Sequence, residues 1–171
     1  DVYAASDGAV CQRGHEVCAT SGAEDFFEPA LAITHADGNM STYLYFQGVE
    51  QKPVEGGAET IITLADKEYP VTVKLHYVAY PKQSVIKAWS EVTHKEKAPI
   101  TLWRYASTML YFKSAKYFVT TYHSDWAKEG QPETTQLISG KKIVDTKLGT
   151  RAAMQEEPFF ELGFDAPARE N

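Results

Sequence analysis

One stretch of the chain restricts its fold more than any other, because apolar and polar residues alternate there with a period of two. Every second position from 71 to 79 is apolar, while Thr72, Lys74 and His76 lie between them. Successive side chains of a β-strand point to opposite faces, whereas a helix repeats about every 3.6 residues. The pattern therefore predicts a strand with one buried face, and it places His76 on the exposed face.

Similar patterns recur along most of the chain. The other strand candidates are residues 42–49, 59–64, 85–93, 100–112, 117–122, 134–139, 142–147 and 159–164. No helix of ordinary length is predicted, and only residues 152–157 could form a short helical turn. Roughly ten short strands joined by turns are typical of a sandwich or barrel. We therefore predict an all-β fold, a mostly antiparallel β-sandwich.

Turn signals and composition indicate how the chain is organised. Residues 36–39 predict a hairpin, because Gly38 and Asn39 accept a positive φ. Residues 1–24 are polar and aperiodic, so we interpret them as an N-terminal arm, and residues 51–57 as a second flexible break. Residues 25–171 then form one β-sandwich domain. Since the chain starts with Asp1 and ends in polar residues, we expect it to be a portion of a longer protein.

The strand candidate at residues 100–112 carries apolar side chains on both faces. Leu102 and Leu110 share one face, and Trp103 and Tyr105 share the other. A strand of this kind is typically covered on both sides, between sheets or against a neighbouring domain. Trp89 and Trp103, at alternating strand positions, are accordingly interpreted as packing residues.

The net charge and the length of the apolar runs argue against a nucleic-acid partner and against a membrane partner. The formal net charge is −6, and no basic face is visible that would neutralise phosphates, so we expect no nucleic-acid partner. No apolar run approaches the roughly eighteen residues of a membrane span, so we expect no membrane partner. No signal peptide is recognised, and the compartment is left open.

Cys11 and Cys18 could close a disulfide loop or remain thiols.

No residue pattern in the sequence defines an active site. The histidines lack the spacing of metal ligands and are interpreted as surface residues; they are His15, His35, His76, His94 and His123. The serines lack the Gly-x-Ser-x-Gly setting of a nucleophile elbow. The many carboxylates cannot be paired in space from sequence, although glycoside hydrolysis needs two of them. We therefore predict no catalytic residue, no metal site and no cofactor.

The best candidates for ligand binding are Asp125 and Trp126, which fall between two predicted strands. An indole can stack on the apolar face of a sugar ring, and a neighbouring carboxylate can bind hydroxyl groups. The alternative is that Trp126 plugs the edge of the sandwich core. The sequence leaves both interpretations open.

Several weak motifs, in order and with consistent spacing over residues 24–164, together resemble family-36 α-galactosidases. Residues 24–31 resemble the family's D-F-R-x-P-A segment, 103–107 its L-E-R-A-L-S strand, and 125–129 its G-A-W-A-R-E loop. The other matching segments are residues 36–45, 71–89 and 149–160. The chain departs from the family at Phe27, at residues 44–46 and at residues 152–154, where the family has Arg, Leu-Arg-Tyr and Ser-Ser-His.

This resemblance implies a portion of a large β-supersandwich that precedes a (β/α)8 catalytic barrel in the same chain. The family's barrel holds both catalytic aspartates of a retaining mechanism, and its Lys-Trp-Asp motif does not occur here. We therefore expect a non-catalytic N-terminal domain, inactive alone, that supports the barrel and oligomer assembly of an enzyme hydrolysing terminal α-galactosides. The resemblance also implies a homo-oligomer, in which Asp125 and Trp126 approach a neighbouring subunit's galactoside pocket.

Two other classes of function remain open at this point. A free-standing carbohydrate-binding module would need an exposed aromatic platform, for which the candidates are Tyr43, Tyr45, Trp103 and Tyr105. A purely structural or adhesive β domain is the third hypothesis. Binding of galactosides by the isolated chain would favour the module. An apolar patch, exposed only when the chain is alone, would favour the accessory domain.

Overall fold

A computed structural model describes residues 18–22, 28–112, 116–138, 141–145 and 154–167 of the chain. Within them lie nine strands and no helix, and all pairings between the strands are antiparallel, so the all-β prediction is confirmed. The strands are β1 Leu31–Thr34, β2 Leu44–Val54, β3 Gly57–Asp66, β4 Val71–Tyr80, β5 Val85–His94, β6 Thr101–Tyr105, β7 Tyr117–Asp125, β8 Lys128–Leu137 and β9 Gln155–Phe164. This part of the chain contains no helix that is long and apolar enough to cross a membrane.

The chain divides into two compact units, Asp1–Leu110 and Tyr111–Asn171. The first unit contains a two-stranded sheet, β1-β6, and a four-stranded sheet in the order β2-β3-β4-β5. Leu31 and Ile33 of β1 pack against Val71, Val73 and Leu75 of β4 to form the core of this unit. Two sheets thus bury their inner faces against each other, as in a sandwich. The apolar stripe predicted from the period of two is confirmed as the core face of β4.

The second unit contains a three-stranded sheet in the order β8-β7-β9. β7 lies in the centre, and Val119 and Thr121 of this strand are almost completely buried. The strands predicted at residues 117–122 and 159–164 are confirmed as parts of β7 and β9. Residues 155–157, predicted as a helical turn, also belong to β9, so that prediction is wrong. β8 begins at Lys128, well before the predicted start of that strand.

Two turn predictions are corrected by the sheet topology. Residues 36–39 do turn, since the His35 N–H donates to the Asn39 carbonyl at 2.8 Å and Gly38 has a φ of 89°. They do not form a hairpin, because β1 pairs with β6 while β2 pairs with β3. The true hairpin lies in the segment predicted as a flexible break, where β2 and β3 pair up to Val54 and Gly57.

The long strand predicted at residues 100–112 is shorter, because only Thr101–Tyr105 forms β6. The register with β1 shifts from Arg104 directly to Leu102, so Trp103 is an extra residue in a β-bulge. Its side chain is 67% exposed, and Leu102 is also exposed. The predicted packing role of Trp103 is therefore wrong, and the predicted cover over both faces of this strand is not found at Leu102 and Trp103 within the described residues.

Some predictions fall partly or wholly outside the described residues. Cys11, Phe27 and residues 149–153 lie there, so the disulfide stays a prediction. Residues 141–145 are described and are not in a strand, against the strand predicted for 142–147. The last residues of the predicted N-terminal arm lie against β1, where Ala19 is fully buried and Thr20 bridges Leu31. The boundary at residue 24 stays a prediction.

Candidate functional site

Trp126 lies at the tip of the hairpin between β7 and β8. Asp125 pairs with Lys128, so Trp126 and Ala127 form a two-residue turn. The indole side chain is 88% exposed, which shows that the alternative role as a plug of the core is wrong. The Asp125 carboxylate accepts a hydrogen bond from the Trp126 N–H at 2.7 Å and fixes the entry to the turn.

The backbone of this turn is strained at Ala127. Its φ of 56° lies in the left-handed region, which costs a residue with a Cβ atom roughly 1–2 kcal/mol. Such conformations persist only where the surrounding structure imposes them, and they cluster at functional sites. Two-residue hairpin turns ordinarily need a positive φ, so this strain follows from the tight connection between β7 and β8.

A buried serine holds the base of the same hairpin. Ser124 is 5% exposed, and its hydroxyl donates to the Glu157 carboxylate at 2.6 Å. The Gly130 N–H donates to the same hydroxyl at 3.0 Å, so one side chain joins β7, β8 and β9 below the tip. The contact between Ser124 and Glu157 could not be predicted from the sequence, because no local pattern indicates that β7 pairs with β9. The arrangement presents an indole face and a carboxylate above a hydrogen-bonded base, which suits binding a polar ring compound.

His76 is buried rather than exposed, so its predicted surface position is wrong. Its Nδ1 lies 2.8 Å from Glu59 Oε1, and its ring stacks on Trp89 with centroids 4.6 Å apart. The neighbouring strands thus cover the face of β4 that was predicted to be polar, and the packing role of Trp89 is confirmed. Hydrogen bonds from His76 and from Lys52 hold the pKa of Glu59 below its ordinary value.

His35 is the second buried histidine, and its predicted surface position is also wrong. Nδ1 lies 2.8 Å from Glu96 Oε1, and Nε2 lies 2.9 Å from Thr42 Oγ1. Its ring stacks on Tyr69 at 3.6 Å between centroids. The Ala36 N–H donates to the other Glu96 oxygen at 2.8 Å. This cluster links the end of β1 to the segments that flank β2 and β5, and it is structural.

The lowered pKa of Glu96 makes the free energy of unfolding depend on pH. Burial raises the pKa of Glu96, but hydrogen bonds from His35 and the Ala36 N–H outweigh it and leave the pKa below the ordinary 4.5. The pKa of this carboxyl is lower in the folded protein than in the unfolded chain. Its ionised form therefore stabilises the fold fully at pH values above the pKa of the unfolded chain, and this stabilisation is lost as the pH falls through the pKa of the folded protein. We expect Glu96→Gln to be less stable than wild type near neutral pH, with a gap that closes below about pH 4.5.

Urea unfolding of both proteins at several pH values measures this gap in the free energy of unfolding. The exposed Glu129→Gln variant is the matched control, and it should follow wild type at every pH. A gap for Glu96→Gln that stays constant, or widens, on acidification would contradict the assignment.

The four aromatic residues proposed as a sugar platform are not brought together. A Lys67 ammonium lies 3.9 Å from the centroid of the Tyr45 ring and occupies that face. The Trp103 Nε1–H donates to Thr34 Oγ1 at 2.6 Å, whereas the Tyr105 hydroxyl donates to the Ser90 carbonyl in the opposite sheet. The β-bulge therefore directs these two side chains to different faces of β6. Among the described residues, no group of three or more His, Cys, Asp or Glu side chains could hold a metal ion.

The fold defines an antiparallel β-sandwich protein, and Trp103 in its first unit and Trp126 in its second unit are exposed. Residues 3–171 match the model of the glycosyl hydrolase family 36 N-terminal domain, and the chain belongs to this family. The resemblance found in the motifs is thereby confirmed. No curated protein sequence gives a significant match.

Solved structures of α-galactosidases share this fold. The α-galactosidase AgaB from Geobacillus stearothermophilus superposes with a TM-score of 0.76 and 23% identity, over 85% of this chain and 22% of that chain. The galactosidase domain of the α-galactosidase-sucrose kinase AgaSK gives 0.79 and 23%, over 87% and 22%. The α-galactosidase from Lactobacillus brevis gives 0.75 and 19%, over 93% and 25%. The chain thus spans no more than a quarter of the length of these proteins.

Proposed function

We propose that this chain is a non-catalytic N-terminal part of an α-galactosidase that hydrolyses terminal α-galactosides. In this proposal it supports a (β/α)8 catalytic domain of the same chain and the assembly of a homo-oligomer. The observation that carries the proposal is the family match over residues 3–171, together with a fold shared with α-galactosidases. The isolated chain is expected to release no galactose.

Three large apolar side chains of the first unit support a role in domain packing. Leu102, Trp103 and Leu110 are 48%, 67% and 52% exposed. Exposed apolar residues mark an interaction site where they form a contiguous patch. In this proposal, the following part of the complete enzyme covers these side chains.

The sequence of the parent gene beyond the codon for Asn171 tests this proposal. We expect the reading frame to continue into a barrel of roughly 250 residues, with a Lys-Trp-Asp motif for the nucleophile and a second acidic motif. A reading frame that stops, or that enters an unrelated domain, would refute the galactosidase assignment.

Asp125 and Trp126 are proposed to contribute to galactoside binding, at the pocket of a neighbouring subunit. The support for this role is the 88% exposure of the indole and the carboxylate of Asp125 beside it at the tip of the hairpin. We expect Trp126→Ala in the complete enzyme to raise KM for raffinose about tenfold, since a stacked indole contributes on the order of 1–2 kcal/mol. The value of kcat should change little, because the residue is placed in binding and not in the chemical step.

The matched control for this experiment is Ile138→Ala. Ile138 is 72% exposed and follows the far end of β8, so its removal deletes an exposed apolar side chain away from the tip. It should leave both constants unchanged. Equal KM values for wild type and Trp126→Ala would refute the binding role.

A free-standing carbohydrate-binding module is the second candidate, and the exposure of Trp103 and Trp126 favours it. Calorimetric titration of melibiose into the isolated chain distinguishes the two hypotheses. Heat of binding that disappears in the Trp126→Ala or Trp103→Ala variant would support the module. Absence of binding would favour the accessory domain.

A further inference from the structure

β5 lies at an edge of the four-stranded sheet. It pairs with β4 along its whole length, and no strand of the described chain lies along its other side. Val85 and Ile86 are 50% and 71% exposed. An unpaired edge of this length is a template for another strand, unless the protein protects it.

The Tyr105 contact indicates which backbone groups of β5 point outward. Its hydroxyl donates to the Ser90 carbonyl at 3.3 Å, so that carbonyl points away from β4. Alternate residues of an antiparallel strand direct their N–H and C=O groups to the same side. Ile86, Ala88 and Val92 therefore also point their backbone groups outward. The Ser90 carbonyl keeps a second lone pair for a further donor.

The sequence of β5 is complementary to itself in one antiparallel register. With Trp89 on a two-fold axis, Lys87 faces Glu91 of the second copy, and Ile86 faces Val92 of the second copy. Each ion pair and each apolar pair then occurs twice, as an isologous interface requires. Ala88 faces Ser90 of the second copy, and these are residues whose backbone groups point outward. The charges, the apolar side chains and the hydrogen-bonding groups thus agree on the same register.

Lys87 and Glu91, the charged residues of this register, each lie near another side chain of the same sheet. The Lys87 Nζ lies 5.0 Å from the centroid of the Trp89 ring, and that ring stacks on His76. Glu91 Oε1 lies 3.5 Å from His76 Nε2, a buried nitrogen with no hydrogen-bond partner.

We propose that β5 is an interface between two copies of this chain, which pair edge to edge about an axis at Trp89. The two four-stranded sheets then form one continuous sheet. The inference rests on the oligomer assembly within the proposed function, and it does not depend on hydrolysis of galactosides. A single pair of strands buries less than a standard interface of roughly 1,600 Å², so the dimer is expected to be weak and concentration-dependent.

Charge reversal tests this interface. Sedimentation equilibrium of the wild-type chain should show a monomer–dimer equilibrium between about 1 µM and about 1 mM. Lys87→Glu or Glu91→Lys alone places like charges opposite each other twice per dimer, and each should raise the dissociation constant roughly tenfold or more. The double variant, Lys87→Glu with Glu91→Lys, restores both ion pairs and should dimerise like wild type.

Lys82→Glu is the matched control, because Lys82 precedes β5 and lies outside the proposed register. It should leave the dissociation constant unchanged, and the thermal unfolding midpoints of all variants report whether they fold. A monomeric wild-type chain over the whole range, or a double variant as weak as the single ones, would overturn the interface. Neither result bears on the galactosidase assignment, which the gene sequence tests separately.

Discussion

Replacing Ile33 with alanine is expected to lower the free energy of unfolding by about 3 kcal/mol. Ile33 is fully buried on β1 and packs in the core with Val71 and Val73 of β4. The truncation removes apolar surface from the core and leaves a cavity that two paired strands cannot close by moving. Because β1 and β6 form only a two-stranded sheet, the core depends strongly on the two inward residues of β1.

Urea denaturation, followed by circular dichroism, measures this loss. Ile33→Val removes one methylene group and should cost only about 1 kcal/mol. Val49→Ala on β2, where the side chain is 57% exposed, is the control and should cost less than about 0.5 kcal/mol. If Ile33→Ala costs no more than this control, the packing of the two sheets is not as described.

Replacing His35 with leucine is expected to cost about 3 kcal/mol, although leucine is more hydrophobic. The imidazole binds the carboxylate of Glu96 and lies 2.9 Å from the hydroxyl of Thr42. Glu96 and Thr42 are themselves almost completely buried, with side-chain exposure of 6% and residue exposure of 1%. Without the imidazole, both polar groups lose a partner that water cannot easily replace, which costs about 1–3 kcal/mol for each group.

A double variant shows whether His35→Leu is unstable because Glu96 loses its hydrogen-bond partner or because leucine packs poorly at this position. Adding Glu96→Leu to His35→Leu removes the stranded carboxylate, so the double variant should be more stable than His35→Leu alone. His94→Leu, at the exposed end of β5, is the control and should have little effect. A double variant that is less stable than either single one would contradict the polar-cluster account, and so would a negligible cost for His35→Leu.

The strands and the core face could be predicted from sequence, because they depend on local alternation. The stripe from Val71 to Leu75 is the clearest case, since a period of two directly reports the buried face of β4. The length of β6 could not be predicted in this way. Its pattern continues to residue 112, but pairing with the four-residue β1 limits the strand to Thr101–Tyr105. The bulge that exposes Trp103 is likewise a property of the partner's register.

In the candidate site, too, features that depend on local sequence could be predicted, and features that depend on distant residues could not. Trp126 could be identified from its position between two strands, where a turn residue has few neighbours. His35 and His76 could not be recognised as buried, because their carboxylate partners lie 61 and 17 positions away along the chain. A polar residue on the alternate face of a strand is normally exposed, unless neighbouring strands supply a charge and an aromatic ring, as Glu59 and Trp89 do here.

We propose above that this chain is a non-catalytic part of an enzyme that hydrolyses α-galactosides. The most direct test is to measure galactose released from raffinose by the complete gene product and by the isolated chain at equal concentration. We expect release by the complete product and none above background by residues 1–171. Failure of the complete, folded product to release galactose, or release by the isolated chain, would contradict it.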